Sequence, residues 1–358
     1  MQKLTVPTLL LAMTGVVVFM SHQEYIDLYI QSVIMFMGVN IILSSSFNIV
    51  NGYMGEFACG HAGFMAVGAY VTSILNVMLF TDDKVFGNAL LSPELAVFLF
   101  PVTLLVGGVA AALAGVLVAI PSFKTRDDYL AIITIAANYI IISTIINMDS
   151  IGGARGFMGM KKVLFAMDDS LSVPWILIWV MVFTIGTVFI IRRFVSSTYG
   201  KGIIAIKQDE VAAEIMSVNT NRMKLVAFML SSGLAGIAGG LFAHILGYIN
   251  PNSFGILKST ECLVMVYLGG MGSLSGSVLS AIIFTLLLES LRFVLPWMDT
   301  VLHYAHLLPD GYELSQVWKW VIIPLILILL MQFRPEGIMG NRELSDIFPG
   351  LKRFYSFK

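Results

Sequence analysis

The chain is built largely from apolar runs long enough to cross a lipid bilayer. A hydrocarbon core of about 30 Å needs about 20 apolar residues in a helix. Runs of this kind occupy Leu4–Met20, Leu28–Val50, Ala58–Phe80, Leu95–Ile120, Tyr129–Asn147, Pro174–Ile191, Leu225–Ile249 and Val317–Phe333. The interval Ser259–Leu295 is too long for one helix and is split at Gly269-Gly270-Met271-Gly272-Ser273, so it reads as two crossings, the first short. The expected fold class is all-α: a polytopic membrane protein of about ten transmembrane helices with glycine-rich breaks, in a single domain 1–358. Composition agrees, because only 12% of residues are charged, against roughly 25% in soluble domains. The Met1–Met20 run lacks a small-x-small cleavage site and is expected to be retained as the first helix.

The distribution of charge sets the orientation. With the N-terminus inside, the inner segments carry Lys3; Lys124 and Arg126; Arg192, Arg193, Lys201, Lys207, Arg222 and Lys224; and Arg334, Arg342, Lys352, Arg353 and Lys358. The outer segments hold Lys84, Arg155, Lys161, Lys162, Lys258, Arg292 and Lys319. The excess of basic residues inside predicts that both termini, the tail 334–358 and the polar loop 199–224 are cytoplasmic. The net charge of −1 argues against a nucleic-acid partner. Cys59 and Cys262 both fall in apolar runs and read as small buried residues, not as a disulfide or a metal site.

The loop from Tyr199 to Lys224 is the most distinctive polar interval. Gln208 or Asp209 can start a helix there, and Glu210 suits its first turn. Val211, Ala212, Ile215, Met216 and Val218 fall on one side at helical spacing, with Glu210, Glu214 and Ser217 toward the other. Asn219 is the expected left-handed stop. Such a helix suits either a membrane surface or a soluble partner.

Two glycine-rich stretches resemble each other: Asn51 to Gly63, and Leu268 to Gly276. Each contains Gly-x-Met-Gly between apolar runs. The pair fits either an internal repeat with broken helices or close helix packing. Asn40, Ser44, Ser45, Ser46 and Asn48 cluster in the second span, and Thr134 and Asn138 lie one turn apart in the fifth. These groups should face the bundle interior, bonding between helices or lining a polar route. Glu56 and His61 either cap the third span or carry protons, Glu261 is expected to be solvated near the outer interface, and Glu289 is expected to pair with Arg292. His244 completes the set of ionisable groups within spans, which form no series for proton coupling. The outer loop Gly152-Gly153-Ala154-Arg155-Gly156 either docks a partner or is an ordinary surface turn.

Protease, hydrolase and Cys-x-x-Cys motifs are missing, as is a Walker-type nucleotide motif. If ATP drives this chain, the ATPase is another polypeptide. A secondary transporter or channel is the competing class, and an intramembrane enzyme is disfavoured.

Taken in order, the motifs resemble the LivM-type permease of bacterial branched-chain amino acid ABC importers. They are Gly52-Tyr53-Met54-Gly55 through Gly60-His61-Ala62-Gly63-Phe64 to Gly68-Ala69-Tyr70; Asp128-Tyr129-Leu130-Ala131-Ile132-Ile133-Thr134; Gly152 to Gly156; Gly200 through Ala205 to Glu214 and Asn219; Pro251-x-Ser253-Phe254 to Glu261 and Leu268 to Ser273; and Arg334-Pro335-x-Gly337-Ile338. The resemblance implies a permease fold like that of ribose-type and vitamin B12-type importers, in the bacterial inner membrane. It implies a homologous LivH-type permease, two cytosolic ATPases holding ATP and magnesium, and a periplasmic substrate-binding protein as partners, beside the membrane lipid. No cofactor is expected on this chain itself. The coupling helix implied for an ATPase groove is Asp209, Glu210, Val211, Ala212, Ala213, Glu214 and Ile215, continuing to Val218. Asn48, Glu56, His61, Thr134, Asn138, Gly269, Gly270 and Gly272 are the candidate translocation path. Gly153, Arg155 and Gly156 are the candidate binding-protein contact. Urea, short amides and other amino acids are the alternative substrates within this class.

The sequence departs from the family pattern at three places. Glu56 stands where Gln is frequent, Asn138 where a glutamate is frequent, and Ser217 where glycine is usual. The first two are expected to alter what the path tolerates, and the third to have little effect.

Overall fold

The computed structural model describes residues 5–82, 87–123, 129–170, 173–304, 315–340 and 342–347. Lys3, Leu4, Lys84, Lys124, Arg126, Asp128, Lys352, Arg353 and Lys358 lie outside the described residues.

The helices run α1 (Thr5–His22), α2 (Leu28–Asn48), α3 (His61–Phe80), α4 (Ala96–Ser122), α5 (Tyr129–Ile146), α6 (Met160–Ser170), α7 (Trp175–Ser196), α8 (Thr198–Gln208), α9 (Glu210–Ile215), α10 (Thr220–Leu246), α11 (Ile256–Gly269), α12 (Leu274–Tyr304), α13 (Lys319–Phe333) and α14 (Leu344–Ile347). Among the described residues, eight stretches are long and apolar enough to cross a membrane: Leu28–Met54, His61–Phe80, Ala96–Ser122, Tyr129–Ile146, Trp175–Ser196, Thr220–Leu246, Leu274–Val301 and Gln316–Phe333. The apolar helix α1 has 18 residues. Of the two crossings expected in Ser259–Leu295, the second falls in the Leu274–Val301 stretch, while the first corresponds to α11, of 14 residues, which is not among the eight. At 1.5 Å per residue it is about 21 Å long, less than a bilayer core.

Small residues bring the central helices together. α10 packs against α3, α4 and α2. A methyl group added to Gly68 of α3 would overlap the backbone of Gly236 in α10, and one on Gly239 would overlap the carbonyl of Met65. On α4, Gly107 abuts Thr72 and Gly115 abuts Ser232. Without water to drive association inside a membrane, such close backbone approach supplies the dispersion contacts that hold helices together. The apolar surface left over points outward, as at Phe98, Leu117, Phe293 and Phe333, which is the arrangement lipid requires.

The polar side chains of the second span turn inward as expected. Asn40, Ser44, Ser45, Ser46 and Asn48 are all buried, and Asn40 donates to Thr285 of α12 at 2.9 Å. A second buried chain runs from Thr103 (α4) to Asn76 Oδ1 (α3) at 2.7 Å, and from Asn76 Nδ2 to His244 Nε2 (α10) at 2.9 Å. His244 Nδ1 lies 2.8 Å from the Gly240 carbonyl. Nδ1 therefore carries the proton and Nε2 accepts, so every group in the chain is satisfied.

After α13 the chain turns back under α11 and α12. Ile338 and Met339 donate their amides to Leu268 and Gly269 carbonyls. Glu343 then caps α12, accepting from the amides of Leu274 at 2.8 Å and Ser275 at 3.1 Å. A carboxylate at a helix N-terminus satisfies its free amides and meets the positive end of the dipole.

Candidate functional site: the α8–α9 end and the two helix breaks

The polar loop folds as two helices, not one. The first, α8, covers Thr198–Gln208 and was not foreseen as helical. The second, α9, is only Glu210–Ile215, shorter than the Asp209–Asn219 helix expected. Asp209 is the cap, its carboxylate accepting from Ala212 N at 3.0 Å. The left-handed residue that ends the turn is Ser217, with φ of 64°, and not Asn219. Asn219 instead caps α10 by accepting from Arg222 N at 3.0 Å. A serine held where glycine is usual is strained, contrary to the small effect expected for it.

The apolar face of α9 points away from the protein. Val211, Ile215 and Met216 are 67%, 78% and 78% exposed, Ala212 is exposed and Val218 is half-buried. Ala213 is the buried contact that seats the helix. The acids do not form a rim around the apolar face. Glu210 turns back to Lys224, 2.8 Å away, and Glu214 accepts from Thr220 Oγ1 at 3.0 Å.

The two glycine stretches form two breaks that touch. α2 loosens into a π-helical turn, Ile49–Met54, and ends at Gly55 in the left-handed region. The stretch from Gly55 to Gly60 is non-helical, yet Ala58, Cys59 and Gly60 are buried. Buried irregular backbone must find partners. Asn51 supplies two of them, pairing with both the amide and the carbonyl of Ala58 at 3.3 Å. Thr134 of α5 supplies the third, accepting from Cys59 N at 3.0 Å. The second break lies between α11 and α12. There Asn48 Oδ1 accepts from Gly272 N at 3.0 Å, and Asn48 Nδ2 donates to the Ser273 carbonyl at 2.9 Å and Ser277 Oγ at 2.8 Å. A Cβ on Gly52 would lie 2.5 Å from Gly272 N. Gly269 packs on Gly276, and Gly270 packs on Gly340 of the returning C-terminal segment.

The candidate path residues thus fall into three groups. Asn48, Gly269, Gly270 and Gly272 are the joint between breaks. His61 and Thr134 line a small cavity of ≈ 10 Å³ with Gly60, Ser231 and Ser232, room for about one water. His61 Nε2 there lies 2.9 Å from Ser46 Oγ. Asn138, one turn above Thr134, faces Gly63, and its amide has no hydrogen-bond partner among the described residues. Glu56 forms the third group with Lys224, at 2.6 Å. Neither Glu56 nor His61 caps the third span, whose cap position is Gly60.

Two further expectations are settled by packing. Glu261 is not solvated: it is buried and ion-paired to Lys258 at 2.7 Å, because α11 lies against α12 and α2 rather than at a free surface. Glu289 does pair with Arg292, at 3.2 Å, and also accepts from the Tyr29 hydroxyl. The loop with Gly153, Arg155 and Gly156 is held by a two-residue antiparallel pairing, Phe157 to Ile249 and Met158 to Tyr248, and by Tyr248 Oη donating to the Arg155 carbonyl at 2.7 Å. Gly153 is buried and Arg155 exposed. The amphipathic α6 follows directly and was read only as loop.

Lys224, Lys207 and Glu343 are the site residues that sequence reasoning passed over. Lys207 Nζ donates to the Gly52 carbonyl at 2.7 Å, and burial holds its pKa below the usual lysine range. The available signal was a lysine set one turn into an apolar span, which demands a buried acceptor.

The eight stretches long and apolar enough to cross a membrane, with the buried irregular backbone between them, define an all-α multi-pass membrane protein. Residues 29–331 match the family model described as branched-chain amino acid transport system / permease component, and the chain belongs to that family. It is similar to the high-affinity branched-chain amino acid transport system permease protein LivM of Escherichia coli, at 28% identity over 84% of this chain and 68% of that protein. The probable branched-chain amino acid transport permease protein LivM of Methanocaldococcus jannaschii is 22% identical over 92% of this chain and 97% of its own length. The permease LivH of Salmonella typhimurium is 27% identical over 49% of each chain. No solved structure matches the chain.

Proposed function

We propose that this chain is the LivM-type membrane subunit of an ATP-driven importer for branched-chain amino acids. It would sit in the inner membrane with both termini cytoplasmic, beside a LivH-type permease, two ATPases and a periplasmic binding protein. The observation that carries the reading is α9: an apolar face exposed at one end of the bundle, on a helix seated by Ala213 and tied through Lys224 of α10 to Glu56 beside the first break. A chain without a nucleotide motif needs such a face to receive energy from an ATPase. Movement there would reorient the helices around the paired breaks, giving alternating access. Substrate would arrive at the opposite end, at the loop of Gly153, Arg155 and Gly156, and selectivity would rest largely in the binding protein.

The test is uptake of radiolabelled leucine, isoleucine, valine and urea by the reconstituted complex. ATP-dependent uptake of the three amino acids is expected. Uptake of urea alone would give the substrate class to short amides, and ion-driven transport by this chain without an ATPase would defeat the importer reading.

A further inference from the structure

Lys224 lies one turn inside α10, with its side chain 8% exposed. Its ammonium touches two carboxylates from different parts of the fold: Glu56 Oε1 at 2.6 Å and Glu210 Oε1 at 2.8 Å. Glu210 opens α9, and Glu56 stands in the extended stretch that follows the first break. One buried cation therefore holds the exposed docking helix and the break in a single cluster. Lys207 of α8 makes a parallel connection, its ammonium on the Gly52 carbonyl and its stem against Gly55.

The two arms of the cluster are unequal. The Glu56 side chain is 23% exposed and that of Glu210 46%. An exposed ion pair is weak and exchanges readily with water. A pair withdrawn from water is different: removing one partner strands the other charge and is far more disruptive than the pair itself is stabilising. The inner arm, Lys224 to Glu56, is thus the firm connection, and the outer arm to Glu210 the yielding one. Beyond Glu56 the same stretch carries Ala58, Cys59 and Gly60, which lie against Thr134 and the cavity beside His61. Displacing the α8–α9 end would pull on this stretch at two points, Glu56 and Gly52.

We propose that Lys224 is the positioning residue that passes movement of α9 to the first helix break, with Glu56 as the receiving group. This rests on reading α9 as the ATPase-docking helix. Charge at position 56 then has a purpose: a carboxylate gives Lys224 a full counterion where an amide would give only a hydrogen-bond acceptor.

The experiment compares ATP hydrolysis and leucine uptake by the reconstituted importer carrying single variants. Lys224→Met is expected to lower uptake per ATP hydrolysed by about tenfold. Lys224→Arg, which keeps the charge, is expected to restore the ratio. Glu56→Gln, which leaves Lys224 a hydrogen-bond acceptor but no counterion at the break, should lower the ratio by less. A purely structural role would move uptake and hydrolysis together, and an unchanged ratio in Lys224→Met overturns the proposal. Should Lys224→Met fail to assemble, the ratio in Glu56→Gln decides in the same way. The docking reading is scored separately. A Val211→Asp, Ile215→Asp double variant that still retains the ATPases would reject α9 as the docking helix, and the proposal with it, whatever the ratios.

Discussion

The Gly272 amide donates to the Asn48 side chain over 3.0 Å, and this bond joins the two helix breaks. The two residues belong to glycine stretches that look alike in the sequence, and the fold sets them against each other. Asn48 is fully buried and spends its amide group on Gly272, Ser273 and Ser277.

Asn48→Leu should therefore be strongly destabilising. It would leave the Gly272 amide without its acceptor, while the Ser273 carbonyl keeps the Ser277 amide and hydroxyl as donors. An unsatisfied buried group costs about 1–3 kcal/mol. A lowered melting midpoint of the detergent-solubilised protein is the expected outcome, and an unchanged midpoint would mean that water replaces the side chain.

The glycines divide into those in contact and those in open space. Gly68→Val should block the approach of α3 to α10, since even a methyl group at that position overlaps Gly236. Gly186→Val, in α7, has nothing within 4 Å of its added Cβ and should express normally. Equal membrane yields of the two variants would contradict the packing described.

Ser217 offers a stabilising change. Its φ of 64° suits glycine, and Ser217→Gly should raise stability by about 0.5–1 kcal/mol, the lost strain being partly offset by the freer unfolded chain. Thermal unfolding of the purified chain measures this directly.

The docking role proposed for α9 is separable from stability. Val211→Asp with Ile215→Asp should abolish co-purification of the ATPases while shifting the chain's own stability by only about 0.5 kcal/mol, as for most exposed positions. Ala213→Leu should behave in the opposite sense. Ala213 is 6% exposed, and overpacking a tight site costs about 1–3 kcal/mol. Melting curves and pull-downs on both variants check the distinction.

Sequence by itself determined the membrane class, most of the long apolar helices and, to within a residue, the cap of α9 at Asp209. Those features are local: apolar length suits a run to lipid, and a carboxylate three residues before a free amide caps it. It also carried the family, through motifs spread in order along the chain. Tertiary structure decided the partners. Glu56 looked like a cap and is the counterion of Lys224; Glu261 looked solvated and is buried with Lys258. Asn48 and Gly272 were assigned to one path, yet His61 and Thr134 gather at a separate cavity. These contacts join residues far apart in the chain, so helical periodicity carries no trace of them. They exist because glycine and serine let the helices approach closely, and in a medium without water each polar group must then find its partner on whichever helix packing has brought near.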